Sequence, residues 1–270
     1  MQPLYGVGVL AIACVLAGCG KNTGVGGAAG DATPTTRAAN AEFAKELKLD
    51  DPQDFEDAKR GFMAKPSGKI VAADGTVLKD FDAYQFLEGA APDTVNPSLW
   101  RHARLNANVG LYKVMDGVYQ LRGFDIANLT LIEGKTGWIV VDPLTTRESA
   151  KFAMDFAQQH LGKKPVTGMV FTHAHVDHFG GALGVLTPQE VEKRNIPVVA
   201  PAGFIEEGTS ENILAGTGMG RRSIYQFARD LPRSAKGNVD TGLGKDVVYG
   251  AVGLLVPNWL IVKPTQNMRI

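Results

Sequence analysis

Phe171-Thr172-His173-Ala174-His175-Val176-Asp177-His178-Phe179-Gly180-Gly181 is the stretch on which the reading of this chain turns. It closes an apolar run, residues 166–171, that reads as a strand, so its polar groups lie where a loop leaves a sheet edge and a rigid base presents them. Three of the five histidines of the chain fall within it. Alternation as His-x-His sends two imidazoles to one side of an extended loop, and imidazole nitrogens with carboxylate oxygens suit zinc where no thiolate is at hand. His173 and His175 are therefore expected at a first metal, with Asp177 and His178 reaching a second. A single histidine here would read as a loop residue with a local hydrogen bond; the combined spacing points to hydrolytic metal chemistry, with Asp177 at the catalytic centre. Gly180 and Gly181 are expected either to turn the chain away from the metals or simply to start a helix.

Upstream, residues 111–115, 118–122, 128–133 and 137–141 read as successive strands, with Asp116-Gly117 and Gly134-Lys135 placed for turns. A helix over residues 146–160, the strand 166–171, a short helix over 189–194 and a strand over 198–200 follow. Strands giving way to alternating strand and helix predict an α/β layered domain. Further upstream, residues 41–59 read as helical with a break at Asp51-Pro52, an N-cap and first-turn pair, and a stop at Gly61. Residues 69–73 and 76–78 flank Asp74-Gly75, a pair suited to a hairpin turn. After Asn96-Pro97 a short helix runs to about residue 109, and residues 258–262 are a last strand-like stretch in a glycine-rich tail.

The chain of 270 residues is 44% hydrophobic and 21% charged, a composition that folds, and its 28 basic residues balance 28 acidic ones. No net field draws it to nucleic acid, and none is expected as a partner. Residues 7–17 are apolar and uncharged, roughly 11 residues against the ~20 that span a bilayer, which reads as an export signal. Leu16-Ala17-Gly18-Cys19 resembles a bacterial lipobox, in which Cys19 is lipidated and tethers an exported, periplasmic protein to the membrane; the alternative is an ordinary cleaved signal. Cys14 and Cys19 are the only cysteines, so any metal must be held by imidazole and carboxylate. Residues 20–40 read as a flexible tether, residues 41–110 as an N-terminal extension and residues 111–270 as the domain that carries the cluster.

The cluster, with Ile139-Val140-Val141-Asp142-Pro143 one strand earlier, resembles the metallo-β-lactamase superfamily. That resemblance implies a four-layer αββα sandwich with metals at the sheet edges, of which this chain is expected to hold the first half. It implies zinc, two ions per complete site, with His173 and His175 on one and Asp177 and His178 on the other. Asp142 would support the site from behind, or else serve as a turn or cap residue. His102 and His160 fall outside the pattern. Within the superfamily, several stretches resemble alkyl sulfatases that act on detergents: Arg60-Gly61-Phe62, Asn96-Pro97-Ser98-Leu99-Trp100-Arg101, residues 118–125, residues 172–181, Glu211-Asn212-Ile213-Leu214-Ala215-Gly216, Arg221-Arg222 and Gly242-Leu243-Gly244-Lys245.

That branch implies hydrolysis of primary alkyl sulfates to alcohol and sulfate, an apolar groove for the alkyl tail, and a homodimer for the full-length proteins. Phe124, Tyr225 and Phe227 are candidates to line the groove, core packing being the alternative, and Arg221 or Arg222 to meet the sulfate. No histidine follows His178, and the family's later metal ligands have no counterpart, so a truncated form with impaired activity is expected. The alternatives are a lactonase or thioesterase of the same fold, or an inactive lipid-anchored metal-binding remnant.

Overall fold

The computed structural model describes residues 30–270, and its first element corrects the sequence reading. Thr33 caps helix α1 (Pro34–Lys45), its hydroxyl accepting from the Thr36 N–H at 3.1 Å with Pro34 in the first turn. The stretch read as a tether thus ends in a Thr-Pro helix start, before residue 40. Helix α2 (Gln53–Lys59) begins after Pro52, and Asp51 Oδ1 accepts from the Gln53 N–H at 2.9 Å. Strand β1 (Phe62–Ala64), the hairpin β2 (Lys69–Val71) and β3 (Val77–Asp80), and helix α3 (Pro97–Asn106) complete the N-terminal region.

Strands β4 (Gly110–Met115), β5 (Val118–Arg122), β6 (Leu129–Glu133) and β7 (Trp138–Val141) then form an antiparallel meander. Helix α4 (Arg147–Leu161) crosses to β8 (Val166–Val170), and the short α5 (Val176–Phe179) and α6 (Pro188–Arg194) lead to β9 (Val198–Pro201). Helices α7 (Phe204–Thr209) and α8 (Gly216–Gln226) precede the last strand, β10 (Trp259–Ile261). One sheet takes the order β1-β4-β5-β6-β7-β8-β9-β10, antiparallel as far as β7 and parallel beyond it, because helical crossovers return the chain in the same sense. The pairing of β1 with β4 draws the N-terminal extension into that sheet, and residues Asp31–Ile270 make one unit rather than two divided near residue 110.

Helix α4 shows why the layers hold. Thr146 and Ser149 form a reciprocal capping box at its start, and Gly162 ends it at φ 89°. Its buried residues Ala150, Ala153, Met154 and Ala157 recur at helical spacing, a single stripe. Most of that stripe shares one core with Leu129, Leu131, Trp138, Val140, Met169 and Val198 from the sheet. Phe124 belongs to the same core. It is fully buried, with ring centroids 5.5, 6.1 and 5.4 Å from Phe81, Phe152 and Phe156. This corrects its candidacy as a groove residue, since its ring leaves no surface for a substrate tail.

Two of the stretches that suggested the alkyl sulfatases are framework. Asp125 is fully buried and accepts from the Ile126, Thr145 and Val248 N–H groups and the Ser149 hydroxyl at 2.8, 3.2, 3.0 and 2.9 Å. Burial pushes its carboxyl up, and those donors oppose the shift. Lys245, only 2% exposed, pairs with Asp240 at 3.1 Å and donates to the Ala103 carbonyl of α3, while Asn106 donates to Asp240 at 3.1 Å. These buried ionic groups tie the segment after α8 to α3 and to the start of α4, satisfying charges that the interior would otherwise expel.

Candidate metal centre

Parallel pairing of β7 with β8 sets Val141 beside Val170, and so delivers Asp142 and Thr172 to the same end of the sheet. The chain turns tightly there: Asp142 and Leu144 have φ 53° and 63°, and the Leu144 N–H donates to the Asp142 carbonyl at 2.9 Å. Aspartate tolerates the left-handed region better than most residues; leucine does not, and full burial of Leu144 holds it in place. The turn aims the Asp142 carboxylate across to the next loop. Its Oδ1 accepts from the Thr172 N–H at 2.8 Å, and its Oδ2 accepts from the Thr172 hydroxyl at 2.7 Å and lies 2.9 Å from His178 Nδ1. Thr146, not Asp142, caps the following helix. Asp142 is a clamp on the histidine loop.

The loop brings the predicted cluster together. The His173 ring centroid lies 4.7 Å from that of His175 and 4.2 Å from that of His178. His173 Nδ1 and the Thr172 hydroxyl are 2.9 Å apart, and His178 Nε2 is 3.3 Å from Asp177 Oδ2. Burial disfavours a charge on His178, but hydrogen bonds to Asp142 and Asp177 and their negative charges win, raising it to about 9. Burial and the charges of His178 and His175 hold His173 below the usual imidazole range. For Asp177 burial works upward, and the hydrogen bond and charge of His178 outweigh it, leaving the carboxyl low.

Among the described residues no three such groups converge on one point closely enough to hold a metal as they stand. The donor set nonetheless fits a divalent cation. Three imidazoles and a carboxylate share one small patch, and Nδ1 of His173 and of His178 is engaged by a neighbour. Each ring is thereby oriented, as protein ligands to zinc usually are; Nε2 of His173 is left to ligate, while Nε2 of His178 faces the fourth donor, Asp177, at 3.3 Å.

Of the two expectations for Gly180 and Gly181, the helix start holds: Gly181 directly precedes a single 3-10 turn, Ala182–Gly184. Both have ordinary helical φ, −61° and −85°, so no special turn is needed. A Cβ on Gly180 would lie 2.1 Å from the Thr145 carbonyl oxygen, and one on Gly181 would lie 2.1 Å from that of Pro143. The two glycines let the segment after the cluster press against the Asp142 turn. Arg221, Arg222 and Tyr225 are exposed on α8, Tyr225 at 87%, and Phe227 is half-buried at its end. His102 is exposed on α3, and His160 packs against Phe156 at 4.6 Å at the end of α4. Cys19 and the leader lie outside the described residues. The sequence reading missed Glu211 as a neighbour of the cluster: its Oε1 is 3.7 Å from His175 Nε2.

A family model described as the metallo-beta-lactamase superfamily matches residues 122–258, half of the chain and the part that holds the whole cluster. The chain belongs to the metallo-beta-lactamase superfamily. Its mixed sheet with flanking helices is that superfamily's fold over the described residues. Among relatives, it is 49% identical over 88% of its length to an (R)-specific secondary-alkylsulfatase from Pseudomonas sp, covering 36% of that protein. It is 43% identical over 88% of its length to a linear primary-alkylsulfatase from Pseudomonas sp, again covering 36%. The solved structure of a stereoselective inverting sec-alkylsulfatase from Pseudomonas sp. superposes with a TM-score of 0.86 at 48% identity, over 90% of this chain and 38% of that one. The chain thus spans little more than a third of the length of these superfamily relatives.

Proposed function

We propose that this chain carries the first ligand cluster of a zinc-dependent hydrolase that cleaves alkyl sulfate esters to alcohol and inorganic sulfate. The observation that carries the reading is the clamped cluster itself: three adjacent imidazoles and Asp177, two of the rings oriented by Thr172 and Asp142. Likeness to alkylsulfatases at 43–49% identity supports the choice of ester. With no cysteine after residue 19, the donors are imidazole and carboxylate, a set that suits zinc. Zinc bound there supplies charge neutralisation for the departing sulfate and lowers the barrier to attack by water. The chain's own contribution is orientation of the rings and a carboxylate beside them. Catalytic zinc commonly takes three protein ligands, so a two-zinc site needs about six, and His173, His175, Asp177 and His178 supply part of that set.

Linear primary esters such as dodecyl sulfate are the proposed substrates; secondary esters are the second reading, favoured by the 49% identical relative. Zinc-loaded protein is expected to release sulfate from one of these esters slowly, and His173→Ala with His175→Ala to reduce that release by at least ~100-fold, the usual scale for losing metal assistance. Hydrolysis of a lactone or thioester with no sulfate released from either ester would replace this reading, and tight zinc binding without any hydrolysis would leave a metal-binding remnant. We also propose export and a lipid anchor at Cys19, placing the protein at the periplasmic face of a membrane, and a homodimer as the assembled form. Palmitate labelling is expected in intact cells and should vanish in Cys19→Ser; labelling that persists in the variant sinks the anchor.

A further inference from the structure

We infer that Glu211 is a positioning residue for His175, an inference that rests on the metal-site reading above. Glu211 lies on a π-helical turn, Ser210–Leu214, between α7 and α8. Such turns carry an extra residue and recur where a side chain must be re-aimed at a functional site. This one is docked on the histidine loop. Phe204 at the start of α7 is buried, stacks on Phe171 at 5.1 Å with 11° between planes, and meets Phe179 edge-on at 5.4 Å. Those two rings flank the cluster in sequence. Gly208 also lies beside the loop, where a Cβ would stand in ordinary contact with the Ala174 carbonyl oxygen at 3.7 Å.

The docked turn brings Glu211 Oε1 to 3.7 Å from His175 Nε2, the Glu211 side chain being 28% exposed and that of His175 61%. The three histidines then follow one rule. His173 has Thr172 on one ring nitrogen, His178 has Asp142, and His175, which has no such partner within its own loop among the described residues, is faced by Glu211. A carboxylate beside Nε2 keeps the proton on that nitrogen, leaving the lone pair of Nδ1 as the ligand, and it limits rotation of an otherwise exposed ring.

The test compares the full chain with Glu211→Gln and Glu211→Ala, with far-ultraviolet circular dichroism to verify that all three fold. Long-range nitrogen–proton spectra of the histidine rings, taken without metal, should show His175 protonated on Nε2 in the parent and a mixture of tautomers in Glu211→Ala. Zinc affinity by competition with a chromogenic chelator should fall on the order of 10- to 100-fold in Glu211→Ala, be largely restored in Glu211→Gln, whose amide oxygen keeps an acceptor facing Nε2, and keep the same stoichiometry throughout. Unchanged tautomer and affinity in Glu211→Ala overturn the inference. A lowered stoichiometry in both variants also overturns it, making Glu211 itself a ligand. Parent protein that binds no zinc removes the metal reading alone, because the tautomer measurement still decides whether Glu211 holds the ring.

Discussion

Asp142→Ala is expected to weaken zinc binding on the order of 10- to 100-fold and to change its pH dependence, because this carboxylate does two things at once. It accepts from the backbone N–H and hydroxyl of Thr172, fixing the loop, and it sits 2.9 Å from His178 Nδ1, fixing that ring. In the metal-free chain, hydrogen bonds and charge from Asp142 and Asp177 overcome burial and raise His178 to about 9. A folded-state value above the ~6.5 of a free imidazole means that the folded chain holds this proton more tightly than the unfolded chain. The stabilisation from His178 is therefore complete below about pH 6.5, is lost as pH climbs, and is gone above about 9. Zinc must displace the same proton, so the parent's affinity for zinc should rise across that interval while the stability of the metal-free chain falls. In Asp142→Ala the window should shrink toward ordinary imidazole behaviour, and loss of the Thr172 contacts should cost on the order of 2 kcal/mol. Calorimetric zinc titrations at several pH values, with urea unfolding of the metal-free protein, measure both slopes. Parental affinity and an unshifted window in the variant would remove Asp142 from the site.

How much of this arrangement could be read beforehand depends on how local its causes are. The strands β4 to β9 and helix α4 were legible because apolar spacing and turn residues are properties of neighbouring positions, as in the stripe of Ala150, Ala153, Met154 and Ala157. The cluster was legible for the same reason, since His173 through His178 are adjacent in sequence. Helix α1 was hidden by composition: glycine-rich sequence ran into the Thr33-Pro34 start, and the reading carried the tether past it. The π-helical turn and α8 carried no apolar stripe, Ile213, Leu214 and Tyr225 being largely exposed, so periodicity had nothing to report. Glu211 reaches His175 only through the packing of Phe204 on Phe171 and Phe179, a tertiary cause with no trace in local spacing. The stretches that resembled alkyl sulfatases marked important positions without saying why. Asp125 and Lys245 are buried anchors, and Phe124 is core.

Gly181→Ala should be strongly destabilising. Its backbone conformation is one that alanine adopts freely, so conformational strain is not the cause. The added carbon would lie 2.1 Å from the Pro143 carbonyl oxygen, 2.6 Å from that of Thr146 and 2.7 Å from the Ala150 Cβ, and neither backbone oxygen can swing aside as a flexible side chain would. The Gly181 N–H also donates to the Leu144 carbonyl at 2.9 Å, locking the segment to the turn that carries Asp142. Overpacking of a rigid interior costs about 1–3 kcal/mol, and a clash with backbone on two sides belongs at or above the top of that range, a fall of roughly 6–12 °C in the thermal midpoint. Because relief requires moving the Asp142 turn, zinc affinity should fall with stability. Gly218→Ala supplies the contrast: this residue lies within α8 with open space where the methyl would stand, and alanine is the better helix former by about 1 kcal/mol, so the midpoint should hold or rise. A Gly181→Ala protein that melts and binds zinc like the parent would mean that the glycine pair does not join the histidine loop to its carboxylate clamp.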